Sequence, residues 1–186
     1  MTASLPPLPL RRRLLLGMAA APLLMRAPAL LAAAETPRAL DFLHTHTDEK
    51  LSVVYFDDGR YVPDALAAVN RLLRDFRTGE RYPMDPVLLD ILHDLRTLHG
   101  GGTFEIVSAY RSPATNANLA EKSGGVARNS LHMQGKAIDV RVTGRNTAAL
   151  RDAAIALARG GVGFYPRPDF VHLDTGRVRR WGPQKS

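Results

Sequence analysis

The chain has 186 residues, six histidines, 18 acidic residues and no cysteine, with a formal net charge of +7. That length suits one domain. The lack of cysteine excludes a disulfide scaffold and any thiolate metal site, so a metal would have to be held by His and carboxylate.

Residues 1–34 read as an export signal. Arg11, Arg12 and Arg13 precede an apolar stretch from Leu14 to Met25, and Ala32, Ala33 and Ala34 supply a small-residue cleavage site. The arginine cluster followed by leucines fits the twin-arginine pattern, which places the protein in the periplasm. Pro22, Arg26 and Pro28 interrupt the apolar run, and a bilayer span takes about 20 apolar residues. No stable membrane span is therefore expected once the signal is cleaved. Four arginines and no acids lie in this segment, so the remainder carries +3. A modest positive surplus suits a polyanionic cell wall. Nucleic acid is not indicated, because no basic run interleaved with aromatics follows residue 34.

Residues 35–50 are polar and read as a tether leading into a domain over 51–186. Leu51–Phe56, Asp57-Asp58-Gly59-Arg60 and Tyr61-Val62 predict a hairpin, with Asp-Gly supplying the positive φ of its turn. Pro63 opens a helix whose apolar residues Ala65, Leu66, Val69, Leu72, Leu73 and Phe76 recur at helical spacing. Asp85 and Pro86 start a second helix, which stops at Gly100-Gly101-Gly102. Thr103–Tyr110 then predicts a strand and 113–121 a short helix capped by Ser112, with a glycine-containing loop over Ser123–Ser130. Lys136–Val142 predicts a strand and Asn146–Ala158 a helix, followed by short strands over Val162–Tyr165, Phe170–Asp174 and Arg177–Trp181. The expected fold is α+β: N-terminal helices packed on a small, mainly antiparallel sheet.

Two segments stand out chemically. In the strand 136–142, Ile138, Val140 and Val142 share one face, while Ala137, Asp139 and Arg141 share the other. His132 lies seven residues before Asp139, and Gly135 lets the backbone turn between them. In the strand 170–174, Val171 and Leu173 face the core, while Phe170, His172 and Asp174 share the opposite face. His132, Asp139 and His172 together offer three ligands and leave a position open, as catalytic zinc sites do. Two histidines and a carboxylate also fit other divalent metals. His44-Thr45-His46 reads instead as part of a polar strand face, and His93 and His99 as helix residues, none of them ligands.

Ser130-x-His132-x-x-Gly135-x-Ala137-x-Asp139, then Asp169-x-x-His172, resembles the D-alanyl-D-alanine carboxypeptidase and hedgehog-type zinc peptidase family. Ser108-Ala109-Tyr110-Arg111-Ser112 is similar to a further segment of that family, and the three occur in the right order over 103–181. With the signal and the closing Val171-His-Leu-Asp-Thr-Gly-Arg-Val-Arg-x-Trp181, the resemblance is strongest to its exported murein endopeptidase K group. The resemblance implies a sheet of about four antiparallel strands, Zn2+ on His132, Asp139 and His172, peptidoglycan (murein) as substrate and hydrolysis of its peptide cross-links. A D,D-carboxypeptidase trimming stem peptides and a non-catalytic, zinc-containing wall-binding module are the alternatives. Asp169 stands at the family's acid-x-x-His place and is implied as the proton-transfer base. Asp174 is its rival, or else orients an imidazole. Arg111 is implied to hold the oxyanion or a substrate carboxylate, and Ser130 to hydrogen-bond near the site.

Overall fold

The computed structural model describes Met1, residues 36–122 and residues 126–183. The signal read over 1–34 and part of the 123–130 loop lie outside the described residues. The described residues from 36 onward form one compact unit.

The predicted elements form close to their expected bounds. The hairpin joins β2 (Lys50–Asp57) to β3 (Arg60–Tyr61), with Asp58 and Gly59 at φ of 49° and 72° in its turn. Helix α1 (Pro63–Leu72) begins on its proline. Helix α2 (Pro86–Leu98) is capped by Asp85, whose side chain accepts from the Val87 N–H. Strand β4 (Phe104–Ser108), helix α3 (Pro113–Lys122), strand β5 (Ala137–Val142) and helix α4 (Thr147–Leu157) follow, then strands β6 (Gly161–Tyr165), β7 (Phe170–Asp174) and β8 (Arg179–Trp181).

The sheet corrects the expected fold class. Among the described residues it is one mixed sheet of eight strands in the order β3-β2-β1-β4-β5-β7-β6-β8, with β1 over Arg38–His44, not a small four-stranded antiparallel sheet behind N-terminal helices. The difference begins at β1, inside the stretch read as a tether. Its Leu40, Phe42 and His44 alternate inward and are almost wholly buried, as one face of a strand should be. The apolar Leu43 on an outward position and the polar His44 on an inward one mask that alternation in the sequence. β1 pairs antiparallel with β2 and parallel with β4, so the N-terminal hairpin extends the sheet across its whole width. At the other edge β8 adds parallel to β6.

Helices α1, α2 and α4 pack on the sheet. Leu88, Leu89, Leu92 and Leu95 of α2 and Leu150 of α4 join Phe104, Ile106, Ile138, Val140, Val171 and Leu173 of the strands in one core. His44 is a correction of detail. It is not on a polar face but fully buried, with its ring edge-on to Phe76 and its Nδ1 accepting from the His46 N–H.

If β1 is integral, Phe42→Ala should lower unfolding free energy by about 3–5 kcal/mol, the usual cost of emptying a buried aromatic site. Urea denaturation measures it, and a tether would lose almost nothing.

Candidate metal centre

Asp139 and His172 face each other directly across the β5–β7 antiparallel pair. The alternation that turns Ile138, Val140, Val171 and Leu173 into the core delivers both polar side chains to the other face. His132 arrives from a 3-10 turn over Leu131–Gln134, started by Ser130, whose Oγ accepts from the His132 N–H. The turn ends at Gly135, in the left-handed region at φ 65°. A Cβ there would stand 2.2 Å from the Pro83 carbonyl oxygen, so only glycine lets the chain pass from His132 into β5.

The three donor atoms converge. His132 Nε2 lies 3.2 Å from His172 Nδ1. Asp139 Oδ1 is 2.9 Å from His172 Nδ1 and 3.3 Å from His132 Nε2. The far side of each group fixes what it presents. His132 Nδ1 is 2.6 Å from the Ala109 carbonyl oxygen, which can only accept, so Nδ1 carries the proton and Nε2 the lone pair. His172 Nε2 is 3.0 Å from Asp174 Oδ2. Burial pushes the Asp174 carboxyl up, but hydrogen bonds from His172, Arg179 and the Gly176 N–H outweigh it and hold it well below the usual carboxylate range. Asp174 is thus ionised and Nε2 donates to it, so in the neutral ring the lone pair of His172 sits on Nδ1. Burial lowers the His172 imidazole, but hydrogen bonds and charge from Asp139 and Asp174 outweigh it and raise it. Two imidazole nitrogens and a carboxylate oxygen therefore converge on one point, which a proton on His172 Nδ1 fills in the absence of a metal and a cation would take over.

Burial also pushes Asp139 up, yet charge and hydrogen bonding from His132 and His172 win and hold it far down. For His132, burial dominates and lowers the imidazole, favouring the neutral form a metal ligand needs. The donor set fits a divalent metal of the zinc type, and the three atoms lie within 4.8 Å of one another.

The segment 108–112 wraps this centre. Arg111 donates from Nε to Ser108 Oγ at 2.9 Å and from Nη2 to Asp139 Oδ2 at 2.5 Å, leaving Oδ1 for the centre. Its backbone N–H reaches the His132 carbonyl. Tyr110 stacks on Tyr82 at 5.1 Å and donates to Glu80 at 2.6 Å. Ser112 donates from both its N–H and its hydroxyl to Asp75, a fully buried carboxylate.

The structure does not bring Asp169 to this site. It occupies the turn before β7 at φ 55°, out of phase with 170, 172 and 174. Its carboxylate accepts from Thr147 at the start of α4 and lies 4.0 Å from Arg141. Asp174 is on the right face but enclosed, with a side chain 0 % exposed. It accepts from His172, from both terminal nitrogens of Arg179 and from the N–H groups of Gly161 and Gly176. It orients His172 and has no free lone pair for a water. Asp139 is the only carboxylate among the described residues lining the cavity above the centre, an open space of about 650 Å³.

A brace on the other side of His172 escaped the sequence reading. The Trp181 ring lies 5.1 Å from that of His172, over Gly163, where a Cβ would meet the indole at 2.5 Å. At Gly161 a Cβ would meet Arg179 and Asp174 at 2.3 and 2.5 Å. Glycines at positions 161 and 163, paired with Asp174 and His172 on the same face of the sheet, are the signal that larger side chains lie across β6.

The model of the family described as peptidoglycan L,D-endopeptidase MepK matches residues 32–181. The chain is 40% identical to the peptidoglycan L,D-endopeptidase MepK of Escherichia coli strain K12 over 146 residues, covering 78% of this chain and 80% of that protein. It is equally similar to the protein of that name in Shigella flexneri. It is 40% identical to the probable peptidoglycan L,D-endopeptidase MepK of Haemophilus influenzae over 147 residues, covering 78% and 79%.

Asp75 should show itself in acid. Burial raises its carboxyl, but hydrogen bonds from Thr115, Ser112 and the Arg77 N–H outweigh it and lower it. A depressed folded value adds stability that is present above the unfolded value near 4 and lost as pH falls through the folded one. Asp75→Asn should cost about 1–3 kcal/mol at neutral pH, with the gap to wild type closing towards pH 3 in urea titrations. Trp181, the only tryptophan, gives a second check. Co2+ added to metal-free protein should quench its emission up to one ion per chain, and His172→Ala should abolish the response.

Proposed function

The chain belongs to the peptidoglycan L,D-endopeptidase MepK family, and from that premise we propose that it is a zinc-dependent murein endopeptidase hydrolysing L,D peptide cross-links of peptidoglycan in the periplasm. The carrying observation is the meeting of three potential ligand atoms, His132 Nε2, Asp139 Oδ1 and His172 Nδ1, at the floor of an open cavity. Export by the twin-arginine route is part of the proposal, supported by Arg11-Arg12-Arg13 ahead of an apolar stretch.

When bound, zinc supplies Lewis-acid polarisation of the scissile carbonyl and makes water acidic enough to attack near neutral pH. The chain's residues do the holding. His132, Asp139 and His172 would ligate the ion, with Ala109, Arg111 and Asp174 fixing their orientation. Arg111 uses Nε and Nη2 on Ser108 and Asp139. Its remaining N–H groups border the cavity, where they can meet a substrate carboxylate or the carbonyl oxygen as it gains charge.

The scarcity of carboxylate in the cavity favours a second reading, a wall-binding module that holds the metal without hydrolysis. One experiment separates the two. His132→Ala should lose both bound metal and sacculus hydrolysis, while wild type converts cross-linked muropeptide dimers to monomers without releasing terminal alanine. Wall binding with one metal and no cleavage by wild type would favour the module. Alanine release would favour a carboxypeptidase.

A further inference from the structure

If the site is a hydrolase, it needs a polar group facing the reacting amide from the side opposite Arg111. The sheet places one there. Tyr165 pairs with Phe170 across β6 and β7, and Gly163 with His172, so Tyr165 and His172 are same-face diagonal neighbours about 7–8 Å apart at their Cα atoms. The Tyr165 ring stacks on Phe170 at 4.6 Å and 22°, and both residues line the cavity with Trp181. Trp181 bridges the two positions, its ring beside His172 and its Nε1–H donating to the Tyr165 hydroxyl at 2.9 Å.

The direction of that bond decides what Tyr165 can do. An indole nitrogen only donates, so the tyrosine oxygen is the acceptor. Its own proton is left for another partner, and accepting one hydrogen bond strengthens the one it donates. The stack on one side and the indole on the other hold the hydroxyl in place. We propose that the Tyr165 hydroxyl is a catalytic hydrogen-bond donor to the carbonyl oxygen of the scissile amide. It holds that oxygen more strongly as negative charge develops. No proton is transferred, so the phenol needs no regeneration between turnovers. The proposal rests on the hydrolase reading above and adds to it a residue outside the metal-binding and 108–112 segments.

Tyr165→Phe keeps the stack and removes only the hydroxyl. Assayed on purified cross-linked muropeptide dimers beside wild type, it should lower kcat about 10²–10³-fold with KM little changed and metal content unaltered. Calorimetry gives a readout apart from turnover. A phosphinic peptide carrying a charged P–O in place of the scissile carbonyl should bind the variant at least tenfold more weakly, while a hydrolysis product binds equally well. Trp181→Phe, which frees the hydroxyl to rotate, should give a smaller loss of the same kind. A kcat within twofold of wild type in Tyr165→Phe overturns the proposal, as does equal weakening of phosphinate and product. Inactive wild type would instead overturn the hydrolase reading and this proposal with it, whereas active wild type beside an equally active Tyr165→Phe would overturn this proposal alone.

Discussion

The register between β5 and β7 is the constraint on which both core and site depend. Val140 pairs with Val171 and Ile138 with Leu173, while Asp139 pairs with His172 and Ala137 with Asp174. The first two pairs are buried against the helices, and the second two build the polar centre. A slip of one residue in β7 would turn Val171 and Leu173 out and His172 and Asp174 in, exposing two core side chains and burying an acid and a histidine among leucines. Hydrophobic burial therefore enforces the geometry of the donors. The cost of deforming the site is the cost of deforming the core.

Charge is the second constraint. Two nearly inaccessible carboxylates, Asp139 and Asp174, lie within one imidazole of each other. Each is matched by an arginine, Arg111 for Asp139 and Arg179 for Asp174, which is how buried carboxylates are tolerated. With both histidines neutral the four charges cancel. A divalent cation entering such a set keeps its full excess of positive charge, unlike one held by several unpaired acids. An electron-poor centre of this kind suits polarisation of a carbonyl and attracts anionic peptides. Arg179 also stacks over Trp181 at 5.0 Å, so the group neutralising Asp174 also supports the indole beside His172.

Most of the centre was legible in the sequence, because strand parity and a seven-residue spacing are local signals. The same parity argues against Asp169. Three residues before His172 along an extended strand is the opposite phase, and the family pattern alone had favoured it. Other parts carry no local signal. β1 joins β4 across some 60 residues that include a hairpin and two helices, and its alternation is diluted by Leu43 facing out and His44 facing in. Asp75 follows α1 as one more polar turn residue, and only the fold brings Ser112 onto it. Tyr165 and Trp181 read as ordinary ends of short strands. The clue to their contact was Gly161 and Gly163, whose missing side chains matter only once β8 lies alongside β6.

The donors differ in kind from those of domains that fold only around a metal. There the ligands come from flexible segments, and the ion supplies the organising free energy. Here each donor is fixed on its far side by protein: His132 by Ala109, Asp139 by Arg111 and His172 by Asp174 and Trp181. Those fixing groups are tied in turn to Ser108, to Arg179 and to the N–H groups of Gly161 and Gly176. The convergence of these atoms is therefore written into the fold before any ion arrives. Such a site binds without remodelling the chain.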